Sequence, residues 1–108
     1  MSVNYYAVTP ETPEGDEGIH IGKHSHPYEF LFRAHPDLGL RSAAAWCGFL
    51  SRPGVQIHAE NGCDETVDEF MPWATTRPRY SEGMRFHPDR AVSWRDAEGN
   101  PFADYEFC

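Results

Sequence analysis

Residues 18–34 carry the pattern that most limits what this chain can become. Ile19 and Ile21 alternate with His20 and Gly22, a polar KHSHP stretch follows, and Tyr28, Phe30 and Phe32 then alternate with Glu29, Leu31 and Arg33. Period two on both sides of a turn marks two half-buried antiparallel strands, so a hairpin is expected over 18–34. Tyr5–Thr9 and the alternation of Val55 and Ile57 with Gln56 and His58 add strands, and AVSWRD-AEGN-PFADYEF closes the chain as a hairpin around Gly99 and Asn100. Ser42 caps an expected helix Ala43–Leu50, with Trp46, Phe49 and Leu50 on one face and SRPG stopping it. Arg52 in that stop is placed to bond helix-end carbonyls as a C-terminal cation. TVDEFMPWA predicts a second short helix with Val67, Phe70 and Met71 inward and Pro72 limiting its length. The expected fold is α+β: one small domain over 1–108, a mostly antiparallel sheet with one or two short helices packed on one face, an acidic loop at 10–18 and an irregular Arg-containing segment at 75–90.

Such a domain needs a core, and aliphatic side chains are scarce. Leu, Ile, Val and Phe total nineteen of 108 residues, which at a net charge of -8 is the composition of disordered chains. Seven Phe, five Tyr and three Trp supply the missing area, each aromatic removing ~150–250 Å² from water. An aromatic core is therefore expected.

Nine basic against seventeen acidic residues argue against generic nucleic-acid binding, because that affinity comes from neutralising phosphates. Charge is uneven: Glu11, Glu14, Asp16 and Glu17 open the chain without Lys or Arg, whereas 77–95 holds Arg77, Arg79, Arg85, Arg90 and Arg95. The opening residues lack a basic and an apolar signal region, and no apolar run approaches the ~20 residues that span a bilayer. The expectation is a soluble protein of the cytoplasm with no membrane contact. Cys47, Cys63 and Cys108 show no CxxC spacing, so reduced thiols are expected.

The stretch HIGKHSHPYEFLFRAHPDLGLRSAAAWCGFLSRPGVQIHAENG resembles a group of small bacteriophage and prophage proteins of uncharacterised function. Their pattern runs HIGKSS, an aromatic strand, a Pro-acidic turn, a short Trp-bearing helix, SRPG, and a strand into a Gly turn. The matching positions are His20, Ile21, Gly22, Lys23, Ser25, Phe30, Pro36, Ser42, Trp46, Ser51, Arg52, Pro53, Gly54, Ile57 and Gly62, with Asn4, Tyr5, Tyr6, Glu106 and Phe107 similar at the two ends. The resemblance implies phage origin and the host cytoplasm as the place of action, and it implies no reaction. A Cys pair before HIGK in that group is replaced here by Glu14-Gly15-Asp16-Glu17, so zinc binding does not carry over.

Three constellations bear on chemistry. His20, His24 and His26 share parity, so an extended strand projects them to the face opposite Ile19 and Ile21, with His24 and His26 ~6.6 Å apart at a ~3.3 Å rise per residue. Two such imidazoles can share zinc or another transition metal, although a full site needs three or four ligands. Lys23 in the turn can meet a phosphate or carboxylate, and Tyr28 is an interface candidate beside it. Glu60, Asp64, Glu65, Asp68 and Glu69 put five carboxylates in ten residues, and with the acidic loop they can form a surface that attracts a basic partner. No catalytic spacing is present, so the chain reads as no enzyme and as needing no cofactor. The leading expectation is a small phage accessory protein that binds a host or phage macromolecule, most plainly a protein, as a host-takeover or anti-defence modulator. A His-based metal domain, hydrolytic or not, and an acidic nucleic-acid mimic are the alternatives.

Overall fold

The computed structural model describes residues 2–78 and 82–107; Arg79 of the expected irregular segment and Cys108 lie outside them. Seven strands form one sheet: β1 (Ser2–Val8), β2 (Ile19–Ser25), β3 (Leu31–Arg33), β4 (Gln56–Ala59), β5 (Asp64–Glu65), β6 (Trp94–Arg95) and β7 (Pro101–Ala103), in the order β5-β4-β1-β2-β3-β7-β6. Every pairing is antiparallel except β3 with β7. Two helices, α1 (Ala43–Leu50) and α2 (Val67–Ala74), pack on one face of it. The fold is α+β, with the 18–34 and closing hairpins both formed.

The helices start where their side chains satisfy free backbone N–H groups. Ser42 Oγ accepts from Ala45 N at 3.1 Å, and Asp96 Oδ2, from the closing hairpin, accepts from Ala43 N at 2.8 Å. Burial alone would raise the Asp96 pKa, but backbone N–H donors from Ala43, Asn100 and Glu98 hold it below its usual value. That carboxylate ties α1 to a hairpin 53 residues away and complements the helix dipole. In α2, Thr66 Oγ1 accepts from Glu69 N at 3.3 Å and donates to Glu69 Oε1 at 3.0 Å. Pro72 does not end the helix, which runs on to Ala74. The Arg52 guanidinium lies over the Phe49 ring at 5.3 Å, so it covers an aromatic where a carbonyl contact was expected.

The core between sheet and helices is aromatic. Trp46 is fully buried, with Nε1 donating to Arg33 O at 3.0 Å. Phe30 meets Phe32, Phe70, Tyr5 and Trp73 at ring distances of 4.9, 5.4, 5.7 and 5.6 Å, and Phe32 stacks on Phe102 at 5.1 Å. Edge-to-face and offset pairs of this kind add ~0.5–1.5 kcal/mol each beyond area burial.

A β-bulge governs which face each residue of β2 takes. Tyr5 stands opposite Gly22 and Tyr6 opposite His20, leaving Ile21 extra. Ile21 belongs to the core, and a Cβ on Gly22 would meet Leu31 O at 2.2 Å and the Phe30 ring at 2.6 Å. Two consecutive residues therefore face the helices, and the alternation reverses beyond them.

One end of the core is closed by a buried ion cluster. Glu29 is 0% exposed and its carboxylate takes Arg77 Nη1 at 2.8 Å, Arg95 Nη1 and Nη2 at 3.1 and 2.8 Å, and His87 N at 2.9 Å. Arg77 also donates to Ala74 O and Thr75 O, and Arg95 to Gly99 O. Burial would raise the Glu29 pKa, but the Arg95 and His87 donors and the two positive charges hold it below its ordinary 4.5.

Two expectations follow. Glu29→Gln leaves Arg77 buried without a counter-ion and costs ~3–5 kcal/mol, read as a lowered urea midpoint. Because the folded pKa of Glu29 is depressed, its contribution is complete above pH 4.5 and is lost as pH falls through the lower folded value. Gly22→Ala, with no room for a Cβ against Leu31 O, costs ~1–3 kcal/mol by overpacking in the same assay.

Candidate functional site

The sheet face away from the helices carries the polar row. Register places Asp64 opposite His58, His58 opposite Tyr6, and Tyr6 opposite His20, across four strands. Arg33 of β3 follows His20 and shares a cleft with it. His58 Nδ1 and Asp64 Oδ1 are 3.3 Å apart. His20 lies between the Tyr6 and Phe107 rings, at 5.2 and 4.9 Å, and its Nε2 is 2.8 Å from Asn4 Oδ1. Asn4 in turn donates to Glu60 Oε1 from its backbone N at 2.9 Å and from Nδ2 at 3.2 Å. A fixed polar chain thus runs from Glu60 through Asn4 to His20.

The acidic loop folds over this row. Two adjoining clefts result, of about 490 and 440 Å³, both walled by Tyr6, Gly15, Asp16 and Glu17. The larger adds Val8, Pro13, Glu14, His58, Ala59 and Glu60, and the smaller adds Gly18, His20, Arg33, Glu106 and Phe107. The larger has four carboxylates and neither Lys nor Arg among its lining residues.

The candidate metal face does not assemble as expected. The bulge sends His20 to the open face with Phe107, while His24 turns to the helix side and meets Trp73 at 5.0 Å. β2 ends at Ser25, so exposed His26 lies in the turn, at the cis His26–Pro27 peptide. His24, His26 and Tyr28 do line one small cleft of about 250 Å³ with Glu82 and Met84. Among the described residues no three His, Cys, Asp or Glu side chains are grouped to hold a metal ion. Tyr28 stacks on His87 at 5.1 Å, and Lys23 lies over the Phe107 ring at 5.5 Å, on the open face beside His20.

The five carboxylates of 60–69 are divided. Glu60 lines the larger cleft of the open face, whereas Asp64, beside His58, and Glu65 both line a groove at the sheet edge with Leu50, Val55 and Val67. Asp68 and Glu69 sit in the first turn of α2, where Glu69 engages the cap. Glu60 thus stands with Glu14, Asp16 and Glu17 of the acidic loop, apart from Asp68 and Glu69 on α2. Sequence reasoning missed Asn4 and Tyr6 as site residues and weighed His58 only as a further metal ligand, and the cross-strand register brings the three together.

Burial, helped by the Arg33 charge, lowers the His20 pKa to about 4 from 6.5. His24 is lowered by burial and by His26, and His87 chiefly by burial. In each case the unfolded chain takes up the proton first, so stability falls as pH drops below 6.5, and for His20 the loss is complete near pH 4. His20→Gln keeps an amide toward Asn4 and removes the titration. It is expected to make stability less steep in pH over that window, as read by thermal melts.

Among the described residues no helix is long and apolar enough to cross a membrane. Compared with protein-family models, curated proteins and solved structures, the chain matches none of them, so its role has to be read from its own side chains.

Proposed function

We propose that this is a nonenzymatic phage accessory protein that acts in the host cytoplasm by binding a basic host or phage protein through the open face of its sheet. One observation carries the reading. Glu14, Asp16 and Glu17 from the loop and Glu60 from beyond β4 converge on one cleft whose lining holds no Lys or Arg. Segments more than 40 residues apart are folded to present one sign of charge around the apolar side chains of Val8 and Pro13. Such a surface steers an oppositely charged partner and raises its association rate. The charged groups inside the protein are otherwise consumed by the fold, as in the Glu29 cluster. Phage origin rests on the HIGK and SRPG resemblance, and a role in takeover or defence evasion accords with a small, strongly acidic binder.

Affinity capture from host lysate tests it with two variants. The triple reversal Glu14→Lys, Asp16→Lys, Glu17→Lys is expected to lose the captured protein, while Asp68→Lys on the helix side keeps it. Wild-type binding should weaken steeply between low and high salt. Capture that survives the triple reversal, or that ignores salt, would discard the open face as the binding surface.

A further inference from the structure

The cleft of about 490 Å³ has a makeup more specific than negative charge. It is lined by Tyr6, Val8 and Pro13 together with the carboxylates of Glu14, Asp16, Glu17 and Glu60. Tyr6 leans on His20 through its ring, at 5.2 Å and 32°, and so keeps its plane. Glu60 is exposed yet positioned, because Asn4 donates twice to its Oε1. An aromatic ring, apolar side chains and several carboxylates, Glu60 held in place by Asn4, suit a cation that is planar, weakly hydrated and multiply donating. Guanidinium has those properties, since it stacks on aromatic rings and pairs with carboxylates through a fork of N–H groups. An ammonium is compact and strongly hydrated, and gains less from an apolar wall.

We infer that this cleft receives an arginine side chain of the partner, with the guanidinium against Tyr6 and its N–H groups donating to the carboxylates of Glu60 and the acidic loop. The inference rests on the proposed binding of a basic protein and names the side chain recognised. The volume, within the ~300–1,000 Å³ of small-molecule pockets, exceeds one arginine, so flanking backbone of the partner enters with it. Neighbouring Arg33 lines the adjoining cleft, and among the described residues that line this one there is no Lys or Arg.

The test is an NMR titration of the isotope-labelled full chain with the blocked peptide Gly-Gly-Arg-Gly-Gly, and with its lysine and citrulline counterparts. Citrulline keeps the shape of arginine and removes the charge. Saturable shifts confined to Tyr6, Val8, Ala59, Glu60 and the 14–17 loop are expected with arginine, with binding about ten-fold weaker for citrulline and measurably weaker for lysine. Glu60→Gln, which retains an oxygen acceptor for Asn4, should weaken arginine binding with chemical shifts elsewhere unchanged. Equal binding of arginine and lysine, equal binding of citrulline, or shifts scattered over the surface would each overturn the assignment. So would the absence of saturable shifts. If a captured protein is lost on loop reversal while the arginine peptide fails to bind, the pocket assignment falls and the binding face stands. If the peptide binds and no protein depends on the loop, the reverse holds.

Discussion

The carboxylate of Glu29 is the constraint on which the rest of the molecule depends. It is buried next to Phe30 and leaves water only because Arg77, Arg95 and the His87 N–H fill its oxygens. Those donors come from the end of α2, the closing hairpin and the irregular chain between them, 48 to 66 residues away. A buried ion cluster is weak evidence of net stability, since its desolvation offsets much of its attraction. Its effect here is positional. No hydrophobic contact could direct the polar stretch around Arg77 and His87 to one place as narrowly as a carboxylate that has to be satisfied.

That anchoring permits a sheet with two different faces. Aromatic rings fill the helix side, where twelve Leu, Ile and Val could not supply enough buried area. The other side is flanked by the acidic loop and the tail bearing Phe107. The bulge at Ile21 and Gly22 divides the roles within β2, giving His20 and Lys23 to the open face and His24 to Trp73. Gly22 is thus required by the close approach of Leu31 O and Phe30, which gives the HIGK motif a structural meaning.

Local rules made much of this legible. Ser42 and the Ala43–Leu50 face, the Thr66 start of α2 and the two hairpins all depend on residues within a few positions of one another. Alternation also assigned His20 its face correctly, and it failed from His24 onward because an extra residue in a strand leaves no mark on a period of two. The row Asp64, His58, Tyr6 and His20 could not be read, because it is written by the order of β5, β4, β1 and β2 rather than by neighbours in sequence. The same holds for Glu60, which counts with Asp64 and Glu65 in the sequence but works with Asn4 and the acidic loop.

The two polar systems are also linked through charge. Arg77 and Arg95 are held against a single glutamate, so this cluster keeps one net positive charge inside or near the core. The remainder of the molecule is then one unit more negative than the formal -8. Several remaining cations are drawn onto rings: Arg41 over Trp94 at 4.7 Å, Arg52 over Phe49 at 5.3 Å and Lys23 over Phe107 at 5.5 Å. These cations cover aromatic faces and do not line the larger cleft. An aromatic core thus recruits the few positive charges to its margins, and the carboxylates around Tyr6 keep a field that a basic partner can feel before contact.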